Sequence, residues 1–477
     1  MSLSVAPGAA VLPRSTPSQQ GVDPGALVRL LDALETAGIE LHSLMVLRHG
    51  HVVAEGWWAP YRPSGLHLLY SLSKSFTSTA IGLAVEEGLL DIDDPVLRHF
   101  GELAPAEPSP RLQRMRVRHL LSMTTGHRED TVARLDRLNP VGSFLAVPPE
   151  EEPGTWFTYN QGATLTLSAL ITRLTGQRLL DYLRPRLLDP LGITEANWQG
   201  LRELDLGFSG LHAPTEAVAK LGQLYLQRGR WQGRQLVAET WVAEATSRQI
   251  ENPREPNPDW RQGYGYQFWQ GRHGYRGDGA CGQFCLVLPE ADVVVATTAA
   301  TEDMQLVLDA IHGHLLPGFG GTAGDGEVTG VEDALAARLA QLRLPVAEGE
   351  RATPSSVSLP WSAPAPATGV RLTHLESDAQ GWRVTFADDQ SEYALRCGYG
   401  TWLESETAPR PGTRLRIAAC GAWRPGATFV LQIRFIETPH GLTLTCDCTS
   451  GRTKARWNVA PLGDVPIGEL ALDLDRF

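Results

Sequence analysis

Ser71 and Lys74 stand three residues apart at the start of YSLSKSFTSTAIGLAVEEG (70–88). Side chains at i and i+3 share one face of a helical turn. From Ser75 to Val85 the stretch carries no charge and is apolar on nearly every side, the pattern of a helix buried all round. A lysine in the first turn of such a helix opposes the helix dipole, which favours anions there. Nucleophilic catalysis would account for the placement. A serine hydroxyl is a weak nucleophile until a nearby base takes its proton. A lysine held in an apolar site loses basicity and can share that work. The serine would also lie over the free amides of a helix N-terminus, where developing negative charge is favoured.

S-x-x-K fixes only two positions in four and arises often by chance, so it needs support from elsewhere in the chain. No rival nucleophile motif appears. GFSGL around Ser209 is not G-x-S-x-G. The 13 histidines show no H-E-x-x-H or comparable spacing, so neither a metal nor another cofactor is expected. Cys281, Cys285, Cys397, Cys420, Cys446 and Cys448 fit no zinc pattern and read as buried thiols, with one disulfide in the last domain left open.

The elements that must carry this pair follow from periodicity and turn residues. DPGALVRLLDALETAG (23–38) predicts a helix capped by Asp23, opened by Pro24 and ended by Gly38. HSLMVLRHGHVVAEGWW (42–58) predicts a hairpin turning at His49-Gly50. Helical patterns fill the middle, in 164–183 and 216–229. Strand signals return in GYGYQFWQ (263–270), GQFCLVLPE (282–290) and ADVVVATTA (291–299), before a helix at 304–316. Strands at both ends with helices between them predict an α+β fold, a mostly antiparallel sheet beside a helical region. A glycine-rich stretch, one short helix and a Pro/Ser linker then occupy 318–365. From 366 to 477, alternation in WRVTFAD, TRLRIAAC and TFVLQIRFIETPHGLTLTCDC predicts a small all-β sandwich or barrel. The domain reading is therefore 1–317, a linking segment at 318–365, and 366–477.

The 477 residues are 42% hydrophobic and 20% charged, as in an ordinary soluble globular protein. A formal net charge of −12 without any basic tract argues against nucleic-acid or anionic-membrane partners. No run approaches a transmembrane span and the N-terminus lacks signal-peptide character, so a cytoplasmic location is expected, a trimmed export signal remaining open.

The stretch YSLSKSFTSTAIGLAVEEGLLDIDDPV resembles the nucleophile helix of serine hydrolases of the class C β-lactamase-like, penicillin-recognising superfamily, which includes family VIII esterases. Further blocks follow in that family's order from about Val22 to Leu316: VRHLLSMTTG, PGTWFTYNQGATLTLSALITRLTGQ, AKLGQLYLQRGRWQGRQLVAETWV and GDGACGQFCLVLPEADVVVATTA. The resemblance implies Ser71 as nucleophile, Lys74 as its partner base and Tyr159 as the second-motif tyrosine, its pKa lowered by Lys74⁺ so that it can shuttle the proton. It implies an oxyanion hole from the Ser71 and Ala280 backbone amides. Two departures bear on substrate. After Tyr159 come Asn160 and Gln161, either of which could supply the motif's amide. Where the third motif carries K-T-G or H-x-G, this chain has Gly277-Asp278-Gly279, an acid in place of the cation that would hold a substrate carboxylate. Asp278 is either a substrate-facing group or a solvated turn acid, and Gly279 and Gly282 suit a strand edge approached closely by substrate. The polar run His127-Arg128-Glu129-Asp130 is either a solvated loop or a loop over the site mouth. Trp57, Trp58, Trp156, Trp269 and Tyr264 are candidates for pocket walls.

The expected activity is hydrolysis of a small ester or amide through an acyl-enzyme. The alternatives are a β-lactam-binding protein, β-lactamase or D-peptidase of the same superfamily, or a non-catalytic scaffold keeping the fold. The last domain reads as a ligand binder, a lid or a dimer surface.

Overall fold

The computed structural model describes residues 11–320, 325–364, 368–463 and 465–476. The first half of the amino-terminal stretch read for export character and part of the glycine-rich segment therefore lie outside the described residues.

Six antiparallel strands form the first sheet, in the order Trp269–Gly271, Gly274–Gly279, Gln283–Leu288, Val293–Ala300, Glu40–Arg48, His51–Trp57. Its hairpins follow from local sequence. His49 and Gly50 both take positive φ (49° and 74°), the two-residue turn whose twist matches the flanking strands. Pro289–Ala291 forms a short 3₁₀ turn between the next pair. Leu44 to Leu47 is a continuous apolar run because both faces of the sheet are covered. Met45 and Leu47 pack with Phe76 in one core, while Leu44 and Val46 pack with Leu27 and Leu31 in another. The first core is roofed by the helices Ser73–Glu86, Gln161–Thr175 and Thr215–Leu226. The second is covered by Pro24–Thr36, where Asp23 accepts from the Gly25 amide at 2.8 Å as N-cap, and by Met304–Ala310 and Asp325–Ala340. The Ser73–Glu86 helix is buried along nearly its whole length. At Gly82 an added Cβ would meet the Trp241 indole at 2.5 Å, so only glycine lets that ring lie on the helix.

GYGYQFWQ is not the strand that its aromatics suggest: only Trp269–Gly271 joins the sheet. Gln267 turns the chain inward with φ 62°. Its side-chain amide donates to the carbonyls of Leu120 (3.2 Å) and Leu121 (2.7 Å) and accepts from Thr164 Oγ1 (2.8 Å). A buried polar side chain satisfied on both ends has overridden β propensity here.

A second sheet of ten strands begins at Trp361–Ser362 and includes Arg371–Asp378, Gly381–Ala387, Glu392–Gly398, Thr413–Arg424, Thr428–Phe435, Gly441–Asp447 and Arg452–Trp457. It curls until its early strands meet its late ones, the Leu372 amide donating to Thr453 Oγ1 at 3.4 Å. Inside the curl lie Trp382, Phe386, Tyr393, Phe429, Leu431 and Phe435. The Pro/Ser segment before it packs against this sheet: Glu350 and Trp423 exchange two backbone hydrogen bonds of 2.8 and 2.9 Å, and Val357 joins its core. All six cysteines are buried free thiols.

The second sheet sits directly on the first unit. Arg434 grips Glu40 with two hydrogen bonds (3.0 and 2.8 Å), and both are largely buried, so removing either would strand a charge at a cost of about 3–5 kcal/mol. The Leu68 amide donates to the Glu437 carbonyl (2.8 Å), and Asn197 Nδ2 donates to the Asp473 carbonyl (2.8 Å). Ala418 and Ile436 enter the first unit's second core.

Candidate active site

A 3₁₀ turn, Tyr70–Leu72, precedes the Ser73–Glu86 helix and lifts Ser71 to its N-terminal end. Lys74, one helical turn on, is 1% exposed, so its ammonium meets almost no water. Its Nζ lies 3.1 Å from Ser71 Oγ, 2.6 Å from Gln161 Oε1 and 2.8 Å from the Phe208 carbonyl. Two of these three neighbours are neutral acceptors and none is a carboxylate. Burial accordingly pulls the Lys74 pKa down from 10.5 to about 7, against a smaller upward pull from Asp130 and Asp278. About half of the lysine is then neutral at pH 7. In that form Nζ has a lone pair with which to accept a hydrogen bond from the Ser71 hydroxyl while it donates to Gln161 and Phe208.

The second-motif departure is resolved by these contacts. Asn160 caps the Gln161–Thr175 helix, its Oδ1 accepting from the Gly162 amide (3.0 Å) and Thr131 Oγ1 (2.8 Å). Gln161 is the amide that faces the lysine. Tyr159 presents its ring face 4.5 Å from Nζ and stacks on Trp269 at 5.3 Å, with Tyr264 edge-on. The expected lowering of its pKa by Lys74⁺ is not found. Burial drives the phenol well above its ordinary value and the Asp278 charge adds to this, while the neighbouring Ser71 hydroxyl and Trp269 indole pull partly back. Tyr159 is thus a neutral phenol, and Lys74 is the member of the pair that titrates near neutrality.

Asp278 is buried, not a solvated turn acid. Arg276, two residues earlier on the same strand face, donates to it through Nε at 3.0 Å. Burial raises the Asp278 pKa, and the Arg276 charge opposes that rise. Most of the guanidinium is engaged internally: Nη1 donates to the carbonyls of Gln270 (3.1 Å) and Asp259 (3.3 Å), and the group stacks 4.4 Å from the Trp260 ring, while Nη2 is buried without a hydrogen-bond partner among the described residues. A cation therefore stands beside the third motif, but it is locked to the acid. On the opposite face of that strand, a Cβ at Gly279 would fall 2.0 Å from the Leu69 carbonyl and 3.1 Å from the Leu72 amide. The close approach at Gly279 is made by the chain's own Ser71 turn, at Leu69 and Leu72, and Ala280 packs against the cluster that holds Leu68 and Tyr70. At Gly282, with φ 90°, an added Cβ would touch Ala299 and Thr301.

Ser71 opens on a cavity of about 670 Å³. Its lining is mixed: Asp130, Arg137, Gln161 and Arg410 are polar, and Leu135, Leu165, Leu206 and Phe208 are apolar. Leu462, Val465, Leu470 and Ala471, from the far end of the chain, complete the wall. Of the His127–Asp130 cluster, Asp130 faces the site, held by the Gln161 amide (2.9 Å), while His127 is buried between Thr125 and the Val147 carbonyl. Of the candidate aromatics, Trp269 and Tyr264 surround Tyr159. Trp156 instead stacks with Arg128 and Arg254. The contributions of Phe208 and Arg276 escaped sequence reasoning, whereas Asp130 belongs to the polar run read as a solvated loop or a loop over the site mouth. GFSGL carried a trace of the first, read only against a nucleophile pattern it does not fit.

A sequence model of the Beta-lactamase family matches residues 29–313, more than half of the chain. The chain belongs to the Beta-lactamase family. It is 26% identical over 332 residues to the 6-aminohexanoate-dimer hydrolase of Paenarthrobacter ureafaciens, covering 62% of this chain and 83% of that one. A solved hydrolase with promiscuous acyltransferase activity superposes with a TM-score of 0.51 at 18% identity, over 61% of this chain and 99% of its own. The crystal structure of SurE matches at TM-score 0.50 and 20% identity over 92% of this chain and 99% of its own, so that similarity of fold extends past the family region into the second sheet. The chain is thus a serine hydrolase of this family with a β-lactamase-like fold. Among the described residues no helix is long and apolar enough to cross a membrane.

Proposed function

We propose that the protein cleaves a small ester or amide through an acyl-enzyme on Ser71. The observation that carries this reading is Lys74 Nζ, fully buried without a carboxylate neighbour and 3.1 Å from Ser71 Oγ. Neutral Lys74 takes the hydroxyl proton as Oγ bonds to the substrate carbonyl carbon. The carbonyl oxygen, now negative, turns to the Ser71 and Ala280 amides. Collapse breaks the bond to the alkoxide or amine, which leaves with the proton returned by Lys74, while the neutral Tyr159 phenol, its ring against Nζ, flanks that path. Water then attacks the ester carbon, giving its proton to Lys74, and collapse breaks the Oγ–acyl bond as Lys74 returns that proton to Oγ, releasing the acid and restoring Ser71. Gln161 holds Nζ in place, and Asn160 acts on the site only by capping the helix that carries Gln161.

An uncharged or weakly charged acyl group fits the cavity better than a β-lactam or a C-terminal carboxylate peptide. The support is the pairing of Arg276 with Asp278, which leaves a net-neutral pair where the family's carboxylate-binding cation stands. Residues 1–317 would form the hydrolase unit, 318–365 the connection, and 366–477 the appended β-domain. Intact-mass spectrometry after incubation with a fluorophosphonate tests the reading, beside Ser71→Ala and a parallel penicillin G sample. One adduct, lost in Ser71→Ala, with none from penicillin G is the expected result. No adduct on the folded protein would overturn it in favour of a non-catalytic scaffold. A stable penicilloyl adduct would move it to the penicillin-binding branch.

A further inference from the structure

We propose that His440, reaching from the second sheet, positions the Ser71 turn and the neighbouring oxyanion loop through Tyr70, making that sheet part of the catalytic apparatus. This rests on Ser71 being the nucleophile.

Tyr70 is the residue before Ser71, and its φ of 47° is a left-handed conformation that a bulky side chain rarely adopts. Such a conformation persists only where surrounding contacts over-determine it. Here they come from two directions. Ser73 Oγ donates to the Tyr70 carbonyl at 2.6 Å, fixing the peptide plane that also carries the Ser71 amide. At the other end of the residue, the Tyr70 hydroxyl meets His440 Nε2 at 2.7 Å. The direction of that bond follows from the partner on the far side of the ring. His440 Nδ1 lies 2.9 Å from the Val459 carbonyl, which can only accept, so Nδ1 carries the hydrogen and Nε2 is left to accept from Tyr70. His440 is itself held by its amide, which donates to Thr438 Oγ1 at 3.1 Å, and it is fully buried.

The same contact region backs the other half of the oxyanion hole. Leu68, Tyr70, Cys281, Ala300 and Val459 form one small apolar cluster with Ala280 packed against it. Val459 and His440 belong to the second sheet's end, Leu68 and Tyr70 to the Ser71 turn, and Cys281 to the loop carrying Ala280. The Leu68 amide adds a backbone tie to the Glu437 carbonyl at 2.8 Å. The two amides that would receive the oxyanion are thus set on one support, to which His440, Val459 and Glu437 are contributed from outside the family region at 29–313. Small displacements of such donors act on rate more than on binding.

The test compares wild type, Tyr70→Phe, His440→Ala and His440→Gln. The readouts are the rate of fluorophosphonate labelling of Ser71, kcat and KM on p-nitrophenyl butyrate, and thermal melting. Tyr70→Phe removes one hydroxyl and His440→Gln keeps an acceptor near the Nε2 position. The expected result is a fall in labelling rate and kcat of roughly tenfold or more for Tyr70→Phe and His440→Ala, with KM unchanged and most of the loss recovered in His440→Gln. Wild-type kcat and labelling in Tyr70→Phe and His440→Ala would overturn the proposal, as would a loss confined to KM, which is what a mere cavity wall gives. A wild-type protein that takes no label at all would instead overturn the assignment of Ser71, and the clamp with it.

Discussion

Two lysines are buried on helices that cover the same face of the first sheet, and they are solved in opposite ways. Lys220, on Thr215–Leu226, is 5% exposed and meets Glu216 one turn earlier at 3.1 Å, while Glu216 is also held by Arg14 at 3.0 Å. Lys74 is buried just as deeply, yet its nearest acceptors are a hydroxyl, an amide oxygen and a carbonyl. Burial alone does not make a lysine a base. What matters is whether the fold supplies a countercharge at contact distance, because an opposite charge restores the protonated form that desolvation disfavours.

Replacing the base should have the largest effect. Lys74→Met is expected to lower kcat/KM on p-nitrophenyl butyrate by about 10²–10⁴-fold, the range general-base catalysis supplies. In the wild type, only neutral Lys74 can accept the serine proton, so kcat/KM should rise with pH through an inflection near 7. Gln161→Glu would turn Lys74 into a second Lys220 by placing a carboxylate at its 2.6 Å contact. A pH–rate profile should then show the inflection moved upward by roughly 1–3 units, with activity at pH 7 reduced accordingly. A profile left unchanged by that substitution would show that Lys74 does not set it. Asp130→Asn works in the other direction and more weakly. Asp130 raises the Lys74 pKa from a distance, so neutralising it should move the inflection to lower pH by less than about one unit. Lys220→Met should leave the pH profile where it was and change stability by only about 1 kcal/mol, measured by denaturant unfolding, since Arg14 still holds Glu216.

The same contrast separates what sequence could and could not show. Ser71 and Lys74 were legible because both belong to one helical turn and their spacing is local. Gln161 was legible as one of two amides, and only the three-dimensional cap made by Asn160 decides between them. The hairpin at His49-Gly50 and the helix from Pro24 were legible because turn and cap residues act on their nearest neighbours. The protonation of Tyr159 was not, since it follows from burial under Trp269 and from a charge at Asp278 that arrives on a different strand. Nor was the pairing of Arg276 with Asp278, whose i, i+2 spacing means something only once the segment is known to be a strand with that face buried. Aromatic-rich GYGYQFWQ misled for the converse reason: local propensity pointed to a strand, and one inward glutamine, satisfied by Leu120, Leu121 and Thr164, outweighed it.

The cavity wall contributed by Leu462, Val465, Leu470 and Ala471 also has a consequence for the order of events during biosynthesis. Ser71, Lys74 and Tyr159 emerge from the ribosome long before that wall, and early segments of a chain can fold while later ones are still being made. Until the second sheet is synthesised and docked, the chain has Ser71 and Lys74 but a cavity open along one side.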